Sequence, residues 1–125
     1  MSQQKQIVIV ICHRHEGTQE LISELIESRG TPGERYMFYA TSGAQAAAQT
    51  VKEESMVNLV IADSDMVGMS PEEFVSQVKD ARPDVKIVMT VDQPGEGGPQ
   101  VDMELKMVNL YARLDQILIL ASPTA

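Results

Sequence analysis

Val57-Asn58-Leu59-Val60-Ile61-Ala62-Asp63 is a largely aliphatic run that stops at a carboxylate, and Ser64-Asp65-Met66-Val67-Gly68-Met69 then leads into Ser70-Pro71-Glu72-Glu73-Phe74. A short run without polar alternation is the pattern of a strand covered on both faces, which means a parallel sheet with helices on either side. The segment after it is a strong helix start: Ser at the N-cap, Pro in the first helical position and Glu at the capping-box position. Strand, acid, Gly-containing loop and helix in that order place Asp63 at the carboxyl edge of the sheet, where ligands of open α/β folds gather.

Working outward, Ile7-Val8-Ile9-Val10-Ile11 is a second such strand, ending at Cys12-His13-Arg14-His15. Thr18 to Ser28 carries Leu21, Ile22, Leu25 and Ile26 on one helical stripe and ends at Gly30. Arg35 to Tyr39, of mixed polarity, reads as an edge strand. Thr41 or Ser42 is positioned to cap a helix over Gly43 to about Glu54, whose Ala44, Ala46, Ala47, Ala48 and Val51 would lie close to the sheet. The helix that opens at Ser70 turns Phe74, Val75 and Val78 inward and stops near Ala81, because Pro83 disfavours helix at Arg82. Val85 to Val91 is the next strand. Gln93 to Gln100 then holds three Gly and two Pro where the alternation calls for a helix, and it reads as a linker. Met103 to Lys106 is a weak strand, and Val108 to Ala121 a final helix with Leu110, Leu114, Ile117, Leu118 and Ala121 at helical spacing.

These elements predict an α/β, flavodoxin-like, doubly wound sheet of five parallel strands in the order 2-1-3-4-5, with the fourth helix shortened or missing. His13, Arg14 and Asp63 should meet in one crevice at its switch point. The 125 residues, 43% hydrophobic, suffice for one core, so residues 1–125 read as a single domain whose tail frays from about Ser122. A net charge of −8 with only ten scattered Lys and Arg excludes a nucleic-acid surface. No run is long enough to span a membrane, Met1 to Gln6 is polar, and the single cysteine, Cys12, forms no internal disulfide; the chain reads as cytoplasmic.

The run ending at Asp63, Gly68 downstream, Ile87-Val88-Met89-Thr90, and Lys106 ahead of Val108-Asn109-Leu110 together resemble the receiver domain of two-component response regulators over nearly the whole chain. The resemblance implies that Asp63 stands at the phosphoacceptor position, with Thr90 as the switch hydroxyl and Lys106 as the ammonium of the phosphate pocket. The departures are as informative. Setting Gln19-Glu20-Leu21-Ile22 at the start of the family's first helix puts His13 and Arg14 where the family has the acidic pair that holds Mg²⁺, a cation requiring oxygen ligands. An Arg there repels Mg²⁺ and can pair directly with Asp63. Val67, Val91 and Met107 also replace the Pro, Ala and Pro usual at those positions. Weak or absent Mg²⁺ binding and no other cofactor are therefore expected.

The resulting expectation is a degenerate, or pseudo-, receiver: not an enzyme, but a signalling module acting through a protein partner, kinase or output domain. Apolar surface uncovered by the shortened fourth helix, together with Leu118-Ile119-Leu120, is a candidate homodimer face. The alternative is a conventional phosphoacceptor modified on Asp63 by a histidine kinase. A flavodoxin-like enzyme or cofactor binder has neither a nucleophile–base pair nor a phosphate-cradling loop to support it. Residue by residue, Asp63 can instead cap its turn, Thr90 can be an ordinary strand Thr and Lys106 a solvated one. Cys12 reads as a small buried group, and the eight Met as mostly core filler. His13 and His15, with Cys12, Asp63 and Asp65 nearby, suggest a transition metal, but Arg14 between them argues against one, and no metal site is assigned.

Overall fold

The computed structural model describes residues 5–122. The frayed tail expected beyond Ser122 and the polar start before Lys5 lie outside the described residues. The chain runs β1 (Lys5–Cys12), α1 (Glu16–Arg29), β2 (Glu34–Thr41), α2 (Ala44–Glu53), β3 (Val57–Asp63), α3 (Pro71–Ala81), β4 (Lys86–Thr90), β5 (Met103–Leu105), two 3₁₀ turns (Met107–Asn109 and Tyr111–Arg113) and α4 (Leu114–Ala121). Its five strands form one sheet in the order β2-β1-β3-β4-β5, every pair parallel, as predicted.

The uninterrupted apolar runs are explained by burial on both faces. Val8, Val10 and Cys12 of β1 join Val60, Ala62, Ile87 and Met89 beneath α2 and α3. Ile7, Ile9 and Ile11 join Leu59, Ile61 and Val88 beneath α1 and α4. Alternate residues thus serve opposite layers, so no position in β1 from Ile7 to Cys12 is more than 2% exposed. The one polar residue within β3 also has its place. The register between β1 and β3 slips at Val8/Ile9, leaving Asn58 as the extra residue of a bulge, and its Oδ1 accepts the Val8 N–H at 2.9 Å.

α3 begins as predicted, with Ser70 Oγ accepting the Glu73 N–H and with Phe74, Val75 and Val78 buried. Three expectations are corrected. α1 starts at Glu16 and is rotated: Gln19, Ile22 and Ile26 are buried whereas Leu21 is half exposed, because the Gln19 amide is drawn inward to main-chain carbonyls at the ends of β1 and β2. α2 has no side-chain cap from Thr41 or Ser42; Gly43 is its N-cap, and the Ala44 N–H donates to the Val67 carbonyl, so the loop after β3 closes that helix end. Ala46 faces solvent. The last helix is α-helical only from Leu114. Before it, two tight turns closed by Leu110 N–H to Met107 O and Arg113 N–H to Leu110 O bring Leu110 and Leu114 into the core while Val108 points out.

No helix lies between β4 and β5. The apolar surface expected there is nevertheless covered. The Gly-rich stretch lies on the sheet with Gly97 buried against Met89 and Val101, and Met89, Val91 and Leu105 are all buried. Among the described residues no helix is long and apolar enough to cross a membrane.

Candidate functional site

The ends of β1, β3 and β4 lie side by side at the carboxyl edge of the sheet, and parallel pairing sets Asp63 opposite Thr90. Thr90 is 1% exposed; its Oγ1 donates to Asp63 Oδ1 at 2.6 Å. Thr90 is β-branched and buried, so few rotamers are open to it and its hydroxyl is a well-fixed donor to the Asp63 carboxylate. Asp63 Oδ2 accepts the Asp65 N–H at 3.3 Å, an Asx-type turn that bends the chain away from the strand.

Arg14 does not pair with Asp63. Its Nη1 lies 2.6 Å from Asp65 Oδ2, in an ion pair whose side chains are 46% and 67% exposed. Such a pair contributes about 0–1 kcal/mol to stability, so its importance is positional: it engages the guanidinium with Asp65 rather than with Asp63. His13 is buried beside it, and its Nδ1 accepts the His15 N–H at 3.1 Å. That bond needs an unprotonated Nδ1. Burial accordingly lowers the His13 pKa, with the nearby Asp63 charge opposing the shift, so the ring is neutral at pH 7. Cys12, behind it, has its thiol pushed up to about 11, chiefly by burial, and is a packing group rather than a nucleophile.

Lys106 leaves β5 as the N-cap of the first 3₁₀ turn, exposed, and is in no ion pair among the described residues. The structure therefore joins Asp63 to Thr90, surrounds them with His13, Arg14 and Asp65, and leaves Lys106 outside the hydrogen-bonded group.

Two residues in the group escaped the sequence reading. Gln19 Nε2 donates to His13 O at 2.6 Å and Thr41 O at 3.1 Å, tying α1 to the ends of β1 and β2. Glu96, from the Gly-rich stretch, reaches the residue after Asp63: its Oε1 accepts Ser64 Oγ–H at 3.0 Å together with the Asp92 and Gln93 N–H groups. Those donors, the Gln93 and Asp92 amides first, hold the Glu96 carboxyl below its ordinary range. A lone Gln in a helix and a lone Glu in a loop carry no pattern that could have marked them.

No protein-family model matches the chain, and no curated protein matches it in sequence. Solved structures do match. A LuxR-family DNA-binding response regulator from Staphylococcus aureus superposes with a TM-score of 0.76 over 93% of this chain and 99% of its own, at 17% identity. The response regulator TrrA of Thermotoga maritima, solved in complex with Mg²⁺ and BeF, gives 0.74 over 93% and 98%, at 19% identity. The fold is that of a receiver domain. A pilus assembly-related protein from Burkholderia pseudomallei also matches, with a TM-score of 0.70 over 100% of this chain and 98% of its own, at 10% identity. At these identities it is the receiver architecture that is shared, with Asp63 and Thr90 at its carboxyl edge.

Proposed function

We propose that this chain is a signalling module of the receiver type that works through protein partners, without the Mg²⁺-assisted phosphoryl chemistry of a working response regulator. The observation that carries the reading is the pair of side chains at the end of β1. Where the resemblance calls for two carboxylates, His13 presents a neutral imidazole whose Nδ1 is already engaged, and Arg14 a guanidinium held on Asp65. Both Asp63 oxygens accept hydrogen bonds from the protein, and among the described residues no three His, Cys, Asp or Glu side chains converge as a metal site. Mg²⁺ takes an octahedron of oxygens, one or two of them carboxylate and the rest largely water. Here the Asp63 oxygens are engaged by Thr90 and the Asp65 N–H, and the neighbouring Asp65 carboxylate is taken by the Arg14 guanidinium. These residues do not fit Mg²⁺. In this reading Arg14, paired with Asp65, stands in place of a metal ligand at the end of β1, and the domain is not an enzyme. The neighbours named as response regulators support a kinase or an output domain as the class of partner, and a cytoplasmic setting.

The second reading, a conventional phosphoacceptor, is favoured by one contact, the short Thr90–Asp63 bond, since Thr90 as the switch hydroxyl would sit where a phosphoryl oxygen needs a donor. Lys106, outside that bond, would have to swing in. One experiment separates the two. The protein is incubated with Mg²⁺ and acetyl phosphate and weighed intact; the expected result is unchanged mass, and stoichiometric phosphoryl addition that disappears in Asp63→Asn overturns the proposal. Self-association through α4, where Ile119 is 72% exposed, is a separable part of the reading. Sedimentation at several concentrations that finds one monomeric species throughout removes it.

A further inference from the structure

The stretch that replaces the fourth helix is held down as a strap. Gly97 lies so close to the sheet that a Cβ would stand 2.6 Å from Val101 Cγ2 and 2.7 Å from Met89 Sδ. Gly95 and Gly98 turn the chain with φ of +86° and +83°, and both Glu104 carboxylate oxygens accept the Gly95 N–H. The remaining fastening is Glu96. One carboxylate oxygen, Oε1, collects two N–H groups of its own turn and the hydroxyl of Ser64. Ser64 belongs to the sheet edge: it follows Asp63, and its N–H donates to the Thr90 carbonyl at 2.8 Å.

We propose that Asp92–Gly98 is a latched strap, with Glu96 as the catch and Ser64 as its seat, and that release of this catch uncovers the apolar surface of Met89 and Val101. Two features set the strap apart from the rest of the fold. Its fastenings are hydrogen bonds to carboxylates in partly or fully exposed positions, and it contributes no large side chain of its own to the core. Segments with few apolar contacts and solvent-accessible hydrogen bonds open by themselves, well below the free energy of global unfolding. What lies beneath is the reverse: Met89 is fully buried and part of the core over α2 and α3. Opening therefore exchanges a polar loop for an apolar strip beside the Asp63 edge. The inference stands on the loop's geometry and is independent of how Asp63 is read.

The test uses the whole protein and two variants, Glu96→Ala and Ser64→Ala. Hydrogen exchange of amides in Gln93–Val101 and peroxide oxidation of Met89, resolved by peptide mass spectrometry, report strap opening; Ile7–Ile11 amides report the core. Losing a charge-assisted hydrogen bond should raise both strap signals about tenfold in Glu96→Ala and several-fold in Ser64→Ala, with the Ile7–Ile11 amides unchanged. The proposal is overturned by a Glu96→Ala protein with the parent's protection, by a Ser64→Ala protein indistinguishable from the parent, or by core amides that rise in step with the strap. Ser64→Ala, which deletes one oxygen, keeps the test available should Glu96→Ala fail to fold.

Discussion

The contact between Thr90 and Asp63 is made by a buried donor and a partly accessible carboxylate, which sets its energetic weight. Thr90→Val keeps the shape and removes the donor. Hydrogen bonds to charged groups are worth about 1.5–3 kcal/mol, and water can replace part of this one on the open side of Asp63, so a loss near 1.5 kcal/mol in urea unfolding is expected. His13 gives a pH dependence. Its folded pKa lies below the ordinary histidine value because burial disfavours the imidazolium. Between those two values the unfolded chain binds the proton and the folded chain does not. Stability is therefore retained above about pH 6.5 and falls as pH drops below it, and the urea midpoint should move down from pH 7.5 to 5.5. His13→Asn should flatten that decline; an unchanged slope would show that burial of His13 is not its source. At this scale Asp63, Thr90, His13 and Arg14 were legible because each ends or follows an apolar run. Asn58 and Gln19 were not. A bulge and a buried amide are set by what the neighbouring strand leaves unpaired, which pattern along the chain does not record.

Elements were legible where the chain carries its own stop and start signals and illegible where a distant segment supplies them. Ser70-Pro71 opens α3 and Pro83 follows its end, as read. α2 is closed instead by the Val67 carbonyl from another loop, so the choice between Thr41 and Ser42 was settled in favour of neither. The Gly/Pro stretch forms no helix, as its composition dictates, yet composition does not tell a free linker from a strap packed on Met89. Two glycines separate these cases. Gly97→Ala pushes a methyl into Val101 and Met89 and should cost about 1–3 kcal/mol, as overpacking does. Gly17 lies in α1 with nothing within 4 Å of its added Cβ, and Gly17→Ala should stabilise by about 0.5 kcal/mol. Equal thermal shifts in the two variants would mean that the strap does not pack on the sheet.

For the whole molecule, the two-sided burial that made β1 and β3 readable as unbroken apolar runs also fixes where their ends must meet, so fold and site position follow from one pattern. Charge at that meeting point does not follow from it, and there the proposed loss of metal chemistry is testable as a property of global stability. A ligand that binds only the folded state adds RT ln(1 + [L]/Kd), about 2.7 kcal/mol at a hundred-fold excess over Kd. With His13 and Arg14 in place, MgCl₂ should shift the unfolding midpoint no further than NaCl of equal ionic strength, since a net charge of −8 is screened by either salt. The double variant His13→Asp/Arg14→Asp exchanges an imidazole and a guanidinium for two carboxylates beside Asp63. The ion pair it breaks is exposed and costs about 0–1 kcal/mol. That variant should gain a saturable, Mg²⁺-specific stabilisation that is sharply weakened when Asp63→Asn is added, because the carboxylate at the centre of the new acidic group is then lost. If the parent already shows that saturable gain, the end of β1 is not what separates this chain from a metal-binding receiver. If the double variant shows none although it folds, the fold edge lacks the spacing for a cation whatever the side chains, and the substitutions are a consequence of that geometry rather than its cause.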